Sequence, residues 1–364
     1  MAYTTIDNPS EHYQPVLYTG STSNITVNID MRPDFFWFKS RTQTYSHLWY
    51  DTSRPSDGTS MPTGDVNMYS KLSSDSEDDE DDNNVDGLVQ TSTGFIVDGD
   101  GQAIGEAGQG ADNMVAWCWK CNGGTTSSFT ESGNNPGGTI QTNTDAGFSI
   151  ITTTGTGGAG TISHGLGAVP HWIISKCRSH ANTGWGVYHK KNTSEPETEL
   201  LGLASNGATL DSPSYYNDTA PTSSVFTVGT SNDINGDGRT YVFYVFTEKQ
   251  GYSKFGSYAG NNSTDGPFVY TGFTPAWVMI KRTDGGTNNW PIWDYERGGY
   301  NGAREELYAN LNNAKATDSA IDILSNGFKL RNASTEWNNG TNYIYMAFAK
   351  HPFVSSKGVP TTAV

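Results

Sequence analysis

Basic residues are scarce in this chain, cysteines scarcer still, and long apolar runs are missing. Of 364 residues, 22 are Lys or Arg against 38 Asp or Glu, a net charge of −16. Phosphate neutralisation needs clustered Lys and Arg, and the sequence shows no such cluster, so nucleic acid is excluded as a partner. Three cysteines, Cys118, Cys121 and Cys177, cannot make a disulfide framework, which agrees with synthesis in a reducing compartment. No apolar run approaches the roughly 18 residues of a membrane span, and no basic segment leads into an apolar one near Met1. Neither membrane insertion nor Sec export is therefore expected. What abounds is turn chemistry: 42 Gly and 15 Pro, much Ser, Thr and Asn, and only 16% charged residues. That profile suits many short strands joined by turns and largely excludes long helices.

The strongest signal is an internal repeat. A Pro-to-Lys segment recurs as PDFFWFK (Pro33 to Lys39), PHWIISK (Pro170 to Lys176) and PAWVMIK (Pro275 to Lys281). Upstream of each lies a turn ending at Gly20, Gly155 or Gly260. Downstream come Trp49, Trp185 and Trp290, then Tyr50-Asp51, Tyr188-His189 and Trp293-Asp294. A closing block (GFIV from Gly94, VFTV from Val225, GFKL from Gly327) leads into an aromatic strand: MVAWCWK from Met114, YVFYVFT from Tyr241 and YIYMAFA from Tyr343. The spacing predicts an N-terminal arm (1–12), repeat 1 (13–122), a linker (123–137), repeat 2 (138–250), repeat 3 (251–352) and a tail (353–364).

In PAWVMIK, Trp277, Met279 and Lys281 point one way and Val278 and Ile280 the other, so both faces are largely apolar, as in a strand covered on both sides. With the other β-prone segments, each unit offers six or seven strands. The expected fold is all-β: three tandem β-sandwich repeats of jelly-roll or concanavalin-like type with short helices only. The helical candidates are Ala303 to Asn313 and a shorter one near Glu197 to Leu203. Eight acids between Asp75 and Asp86, with no base among them, predict a solvated, self-repelling insert (73–87) in repeat 1.

Few residues suggest chemistry. Cys118 and Cys121 have the spacing of half a zinc site, but no second pair lies nearby in sequence, and structural thiols are the plainer reading. Asp233, Asn235 and Asp237, followed by Gly238, match the start of a calcium loop, although position 12 is Tyr244 rather than Glu. Asp98 and Asp100 form a fragment of the same pattern in repeat 1. A structural Ca2+ is thus the one candidate cofactor, and none is required. Asp51 with Arg54, and Asp294 with Arg297, could be a catalytic acid and its partner or an ion pair at a strand end; repeat 2 has His189 and Asn192 there. His164 and His171 have no nucleophile beside them, so the chain is not expected to be an enzyme. The tryptophans could stack on sugars but recur at core-like positions. Tyr215, Tyr216, Tyr252 and Trp337, in loops, are the candidate ligand-binding aromatics.

The runs AGFSIITTTGTGGAGTISHGLGAVPHWIISK, NDTAPTSSVFTVGT and EKQGYSKFGSYAGNNSTDGPFVYTGFTPAWVMIKRTD resemble a repeat-containing family of marine and cyanobacterial tailed bacteriophages, whose uncharacterised members are virion or tail-fibre-like proteins with concanavalin-like β-sandwich repeats. The likeness is close over 138–351 and looser in repeat 1, where the acidic insert departs from it. It implies a place on the virion, assembled in the host cytoplasm, with other tail or capsid proteins as partners. Two functions follow from it: a tail- or fibre-associated adhesin-like module that attaches to a host surface glycan, or a capsid decoration or other architectural protein without receptor binding. Homo-oligomers are compatible with either. An arm as short as Met1 to His12 is expected to dock the protein onto another one.

Overall fold

Each Pro-to-Lys segment is a strand buried on both faces, and the reason is its period-two pattern. The three strands are Phe35–Ser40, Trp172–Cys177 and Phe273–Arg282. In the computed structural model, which describes residues 3–54, 70–81, 87–97, 112–298 and 303–361, alternate side chains of these strands enter different cores. Phe35, Trp37, Trp172, Ile174, Trp277 and Met279 enter one central cluster. Phe36 and Phe38, Ile173, and Val278 and Ile280 enter three separate outer clusters. The chain is therefore all-β with several sheets, and the three sheets that hold these strands share one core.

The same antiparallel four-strand order occurs three times. It runs Tyr13–Thr19, Asn113–Trp119, Phe35–Ser40, Leu48–Asp51 in a four-stranded sheet. It recurs as Phe148–Thr154, Thr240–Phe246, Trp172–Cys177, Trp185–His189 and as Ser253–Ala259, Asn342–Pro352, Phe273–Arg282, Pro291–Asp294, each within an eight-stranded sheet. The register is equivalent too, since Lys39, Lys176 and Lys281 lie opposite Val115, Val242 and Ile344 on the aromatic closing strands.

All ten tryptophans are buried, so none of them is a sugar platform. Trp277 lies near the middle, with ring centroids of Trp37, Trp117, Trp119 and Trp172 6.0–6.5 Å away. Aromatic pairs of this kind add about 0.5–1.5 kcal/mol each beyond the area they bury.

Several local expectations are corrected. Ala303–Tyr308 is a strand, as is Glu199–Gly202 after a single 3-10 turn at Pro196–Thr198; pairing with neighbouring strands overrides the helical leucine spacing. The linker contains a strand, Ser127–Phe129, paired with Gly137–Asn143. The N-terminal arm docks on its own chain. Thr4 and Ile6 are buried, and the Tyr3 hydroxyl donates to the Gly272 carbonyl at 2.8 Å. Gly272 (φ +85°) permits this approach, because a Cβ there would lie 2.6 Å from the Tyr3 oxygen. The tail meets the arm as well, the Ser356 amide donating to Asp7 at 2.6 Å. The described part of the acidic insert is only partly solvated: Glu77, Asp78 and Asp79 are exposed as expected, while Ser74 is buried and Asp75 and Glu80 are half-buried, for reasons that the buried polar groups make plain.

Candidate functional site

Most of the polar residues that the repeat brings inside are used to join one unit to the next. Lys39, Lys176 and Lys281 are buried, and each ammonium donates to backbone carbonyls of its own unit and of the preceding one. Lys176 reaches the Glu77 carbonyl (3.1 Å) and the Thr183 carbonyl (2.8 Å). Lys281 reaches Asn206 (3.1 Å) and Asn288. Lys39 reaches Ser40 (3.0 Å), Gln43 (3.3 Å) and, from the third unit, Asn312 (3.1 Å). The relay thus closes on itself. Burial pushes Lys39 and Lys281 down to about 8, and Lys176 down as well.

Indole donors run beside it. Trp185 Nε1 donates to the carbonyls of Ser73 (2.9 Å) and Ser76 (3.0 Å), and Trp290 Nε1 to those of Gly202 (3.0 Å) and Ser205 (3.1 Å). In the first unit this place is taken by His47, not by Trp49. Its Nδ1 accepts from Trp37 Nε1 at 2.7 Å, and the carbonyls of Tyr308 and Leu311 approach the ring. Trp49 thus lies two residues beyond the place that Trp185 and Trp290 occupy in the other units. The acidic insert supplies the Ser73, Ser76 and Glu77 carbonyls, which is why it is ordered there.

A second relay uses the residues considered for catalysis. Asp51 accepts from Arg54 Nε and from the Tyr244 hydroxyl of the second unit, both at 2.6 Å. Asp294 accepts from Arg297 Nε (2.5 Å) and from Trp117 Nε1 of the first unit (2.8 Å). His189 Nδ1 accepts from the Lys191 amide (3.1 Å), which leaves Nε2–H to face the Tyr345 carbonyl of the third unit (3.3 Å). Burial pushes His189 down to about 3, so the ring is neutral. Glu80, from the acidic run, accepts from Arg54 Nη1 at 2.6 Å and pairs with Arg178 at 2.7 Å, again across a unit boundary. Both Asp–Arg pairs are fully buried ion pairs.

The candidate calcium residues brace loops. Asp233 accepts from the Gly184 amide (3.1 Å) and the Tyr215 hydroxyl. Asn235 is buried, its Oδ1 taking the Thr156 amide (3.0 Å) and its Nδ2 donating to the carbonyls of Gly158 (2.7 Å) and Gly229 (3.0 Å). Asp237 is exposed. Asp98 and Asp100 lie outside the described residues, among which no cluster of three or more His, Cys, Asp or Glu could hold a metal. Cys118 and Cys121 are free and buried in different clusters, one on each side of their sheet.

Three of the four loop aromatics are buried rather than presented at the surface. Tyr216, Tyr252 and Trp337 are 1–2% exposed, because the loops fold back and their rings close the ends of the cores. Tyr216 packs edge-on against Tyr188, Tyr252 against Phe348, and Trp337 against Trp293. Tyr215 is half-buried and lines a cavity of about 330 Å³ with Asp233.

Exposed rings occur elsewhere. Phe268 (45% exposed) and Tyr270 (52%) flank buried Val269 on the edge strand Phe268–Tyr270. Tyr270 shares a hydrogen bond with Tyr3 (3.1 Å), and both line a cleft of about 550 Å³ between the second and third units. Its floor carries His171, Glu248 and Lys254, which also line an adjoining cavity of about 470 Å³ with Lys190 and Lys191. Glu248 accepts from Lys254 Nζ and from the Phe255 amide, each at 3.0 Å. His171 Nε2 lies 3.9 Å from Glu248, and burial holds the ring below its usual pKa. Sequence reasoning missed this place. Its trace was the triplet FVY, alternating aromatic–aliphatic–aromatic between the turns at Gly266-Pro267 and Thr271-Gly272, which marks a short strand with one aromatic face outward.

A family model described as a domain of unknown function (DUF7483) matches residues 8–352. No curated protein and no solved structure matches the chain.

Proposed function

We infer that this chain, which belongs to the DUF7483 family, is a non-enzymatic surface protein of a bacteriophage virion, an adhesin-like module of the tail or its fibres. On this reading the chain is three concanavalin-like sandwich units closed around one core, and it contacts a host surface glycan at the cleft between the second and third units. The observation that carries it is the pairing of an exposed aromatic with fixed polar groups: Tyr270 lines a cleft together with His171, Glu248 and Lys254. Sugar rings are bound by this combination, an aromatic face for the apolar C–H side and anchored polar groups for the hydroxyls. Glu248 is the one carboxylate lining the cleft, and it is tied to Lys254 and a backbone amide. Glycoside hydrolysis uses two. The phage setting rests on the sequence resemblance. No cofactor is required, and a Ca2+ at Asp233 would have to displace Tyr215 and Gly184 from it.

A second reading, a capsid decoration or other architectural protein, is favoured by the two closed relays, which commit the three buried lysines, Asp51 and Asp294 to holding the units together. Binding of the purified chain to host cells and to a glycan array separates the two. The adhesin reading expects binding that Tyr270→Ala weakens at least tenfold. No binding to either would remove it, and the architectural reading would then require ordered density for the chain at fixed positions in an averaged virion map.

A further inference from the structure

We propose that the cleft selects an anionic saccharide, a sugar chain carrying carboxylates, with Lys190, Lys191 and Lys254 as the cationic end of the site and Tyr270 as the stacking end. The inference deepens the glycan reading above and rests on it. Its starting point is charge. The chain carries a net −16 with only 22 basic residues, yet three lysines line the cavity that adjoins the aromatic cleft, against the single carboxylate of Glu248. Lys254 is far in sequence from the adjacent pair Lys190 and Lys191. Lys190 and Lys191 follow the strand Trp185–His189 of the second unit, and Lys254 lies on Ser253–Ala259 of the third. Only the joining of the two units brings them together, which is why no basic cluster was legible in the sequence.

The two cavities adjoin, sharing His171, Glu248 and Lys254 in their linings, and the proposed ligand runs across both. At one end Tyr270 is 52% exposed and steadied by Tyr3; at the other the lysines supply positive charge. Glu248 is half-buried and spends its oxygens on Lys254 and the Phe255 amide, so it repels an incoming anion less than a free carboxylate would. Burial, against the pull of Glu248 and with the help of Lys190 and Lys254, lowers the pKa of His171, which favours a hydroxyl partner over a further charge. The volumes, about 550 and 470 Å³, accommodate two or three sugar rings in sequence. Salt screens such an anion contact strongly because the lysines are exposed or half-buried.

The test is calorimetric titration of the full chain with a uronic-acid trisaccharide, with the same trisaccharide after reduction of its carboxylates to alcohols, and with a triglutamate peptide. The proposal expects the acid sugar to bind at least tenfold more tightly than the reduced one and than the peptide, with affinity falling as salt rises. K190A/K191A should cost at least tenfold for the acid sugar only, and Tyr270→Ala should weaken both sugars. Both variants alter surface side chains, and an unchanged melting temperature verifies their fold. Equal binding of the reduced sugar overturns the selectivity and leaves the glycan reading standing. Equal binding of the peptide shows a charge site without saccharide recognition and overturns the proposal. Failure of both sugars overturns the glycan reading itself.

Discussion

Arg54→Met is the sharpest probe of how the units are joined. The guanidinium is fully buried and holds three partners: Asp51, Glu80 and the Trp49 carbonyl. Its removal leaves Asp51, also fully buried, with only the Tyr244 hydroxyl and the Ser53 amide, while Glu80 keeps Arg178. Orphaning one carboxylate of a buried pair costs about 3–5 kcal/mol, a large share of the roughly 5–15 kcal/mol of a folded domain. Arg297→Met is the internal comparison. Asp294 would keep Trp117 Nε1 and the Arg297 amide, and Arg297 Nη1 already lacks a hydrogen-bond partner. Losing one charged hydrogen bond fewer should make it milder by about 1–2 kcal/mol, the contact of Arg297 over the Trp117 ring offsetting part of the gap. Urea unfolding followed by tryptophan fluorescence should show one transition in each variant, displaced further for Arg54→Met. Because Asp51 is bonded to Tyr244 and Glu80 to Arg178, damage in the first unit is felt by the second. D51N/R54M should recover about 1–2 kcal/mol by removing the stranded charge. A milder Arg54→Met than Arg297→Met, or a second transition at the wild-type midpoint, would refute the reasoning.

Acid should destabilise the protein early. His189 is pushed down to about 3 and His47 well below its ordinary value, both by burial first, so the unfolded chain binds more protons than the native one below pH 6.5. Stability is full above that pH and is lost toward pH 3, with His189 alone withdrawing on the order of 5 kcal/mol; a melting temperature constant from pH 7 to 4 would contradict this. The buried lysines act at the other end. Lys39 and Lys281 fall to about 8 against an ordinary value near 10.5, so unfolding takes up protons between those values and stability rises with pH from 8 toward 10. Lys281→Met should flatten that rise in denaturant midpoints, and an unchanged slope would count against a charged lysine in the relay. Asn235→Ala strips the Thr156 amide and two carbonyls of their partner and should cost about 2–4 kcal/mol equally in EDTA and in Ca2+. A cost that appears only with Ca2+ would make a cation, not the amide, the brace of that loop.

What the sequence made legible was what depends on period and spacing. The alternation in PAWVMIK placed Trp277 and Met279 on one side and Val278 and Ile280 on the other, and two different cores now receive them. What it concealed depends on contacts between units. An acidic run is solvated unless cations from elsewhere meet it, and here Arg54 and Arg178, from two different units, converge on Glu80. Leu307 and Leu311 sit at helical spacing, but a neighbouring strand edge at Pro291–Asp294 offers hydrogen bonds that local propensity cannot match. Loop aromatics look alike on paper whether they face water or close a core. Tyr252 and Trp337 are buried because their loops fold back onto the cores, while Tyr270 is exposed because it lies on the outward face of an edge strand.

The same contacts account for the one departure that the repeat could not explain, His189 where the other units have Asp51 and Asp294. The fourth position of each aromatic closing strand faces this site in cyclic order. In YVFYVFT it is Tyr244 and in MVAWCWK it is Trp117, both donors, and the residue opposite each is a carboxylate that accepts. In YIYMAFA the fourth position is Met346, which has no proton to give. A carboxylate there would be buried against a thioether and a backbone carbonyl, with desolvation uncompensated. A neutral histidine reverses the polarity of the bond and donates to the adjacent Tyr345 carbonyl instead. With no carboxylate to neutralise, the arginine three residues on is dispensable as well. The place is held by Asn192, whose Oδ1 accepts from the Thr209 hydroxyl at 2.9 Å. The substitutions at 189, 192 and 346 are thus one change seen at three positions, and their logic is that of an interface, with each donor matched to an acceptor, rather than of a decayed active site.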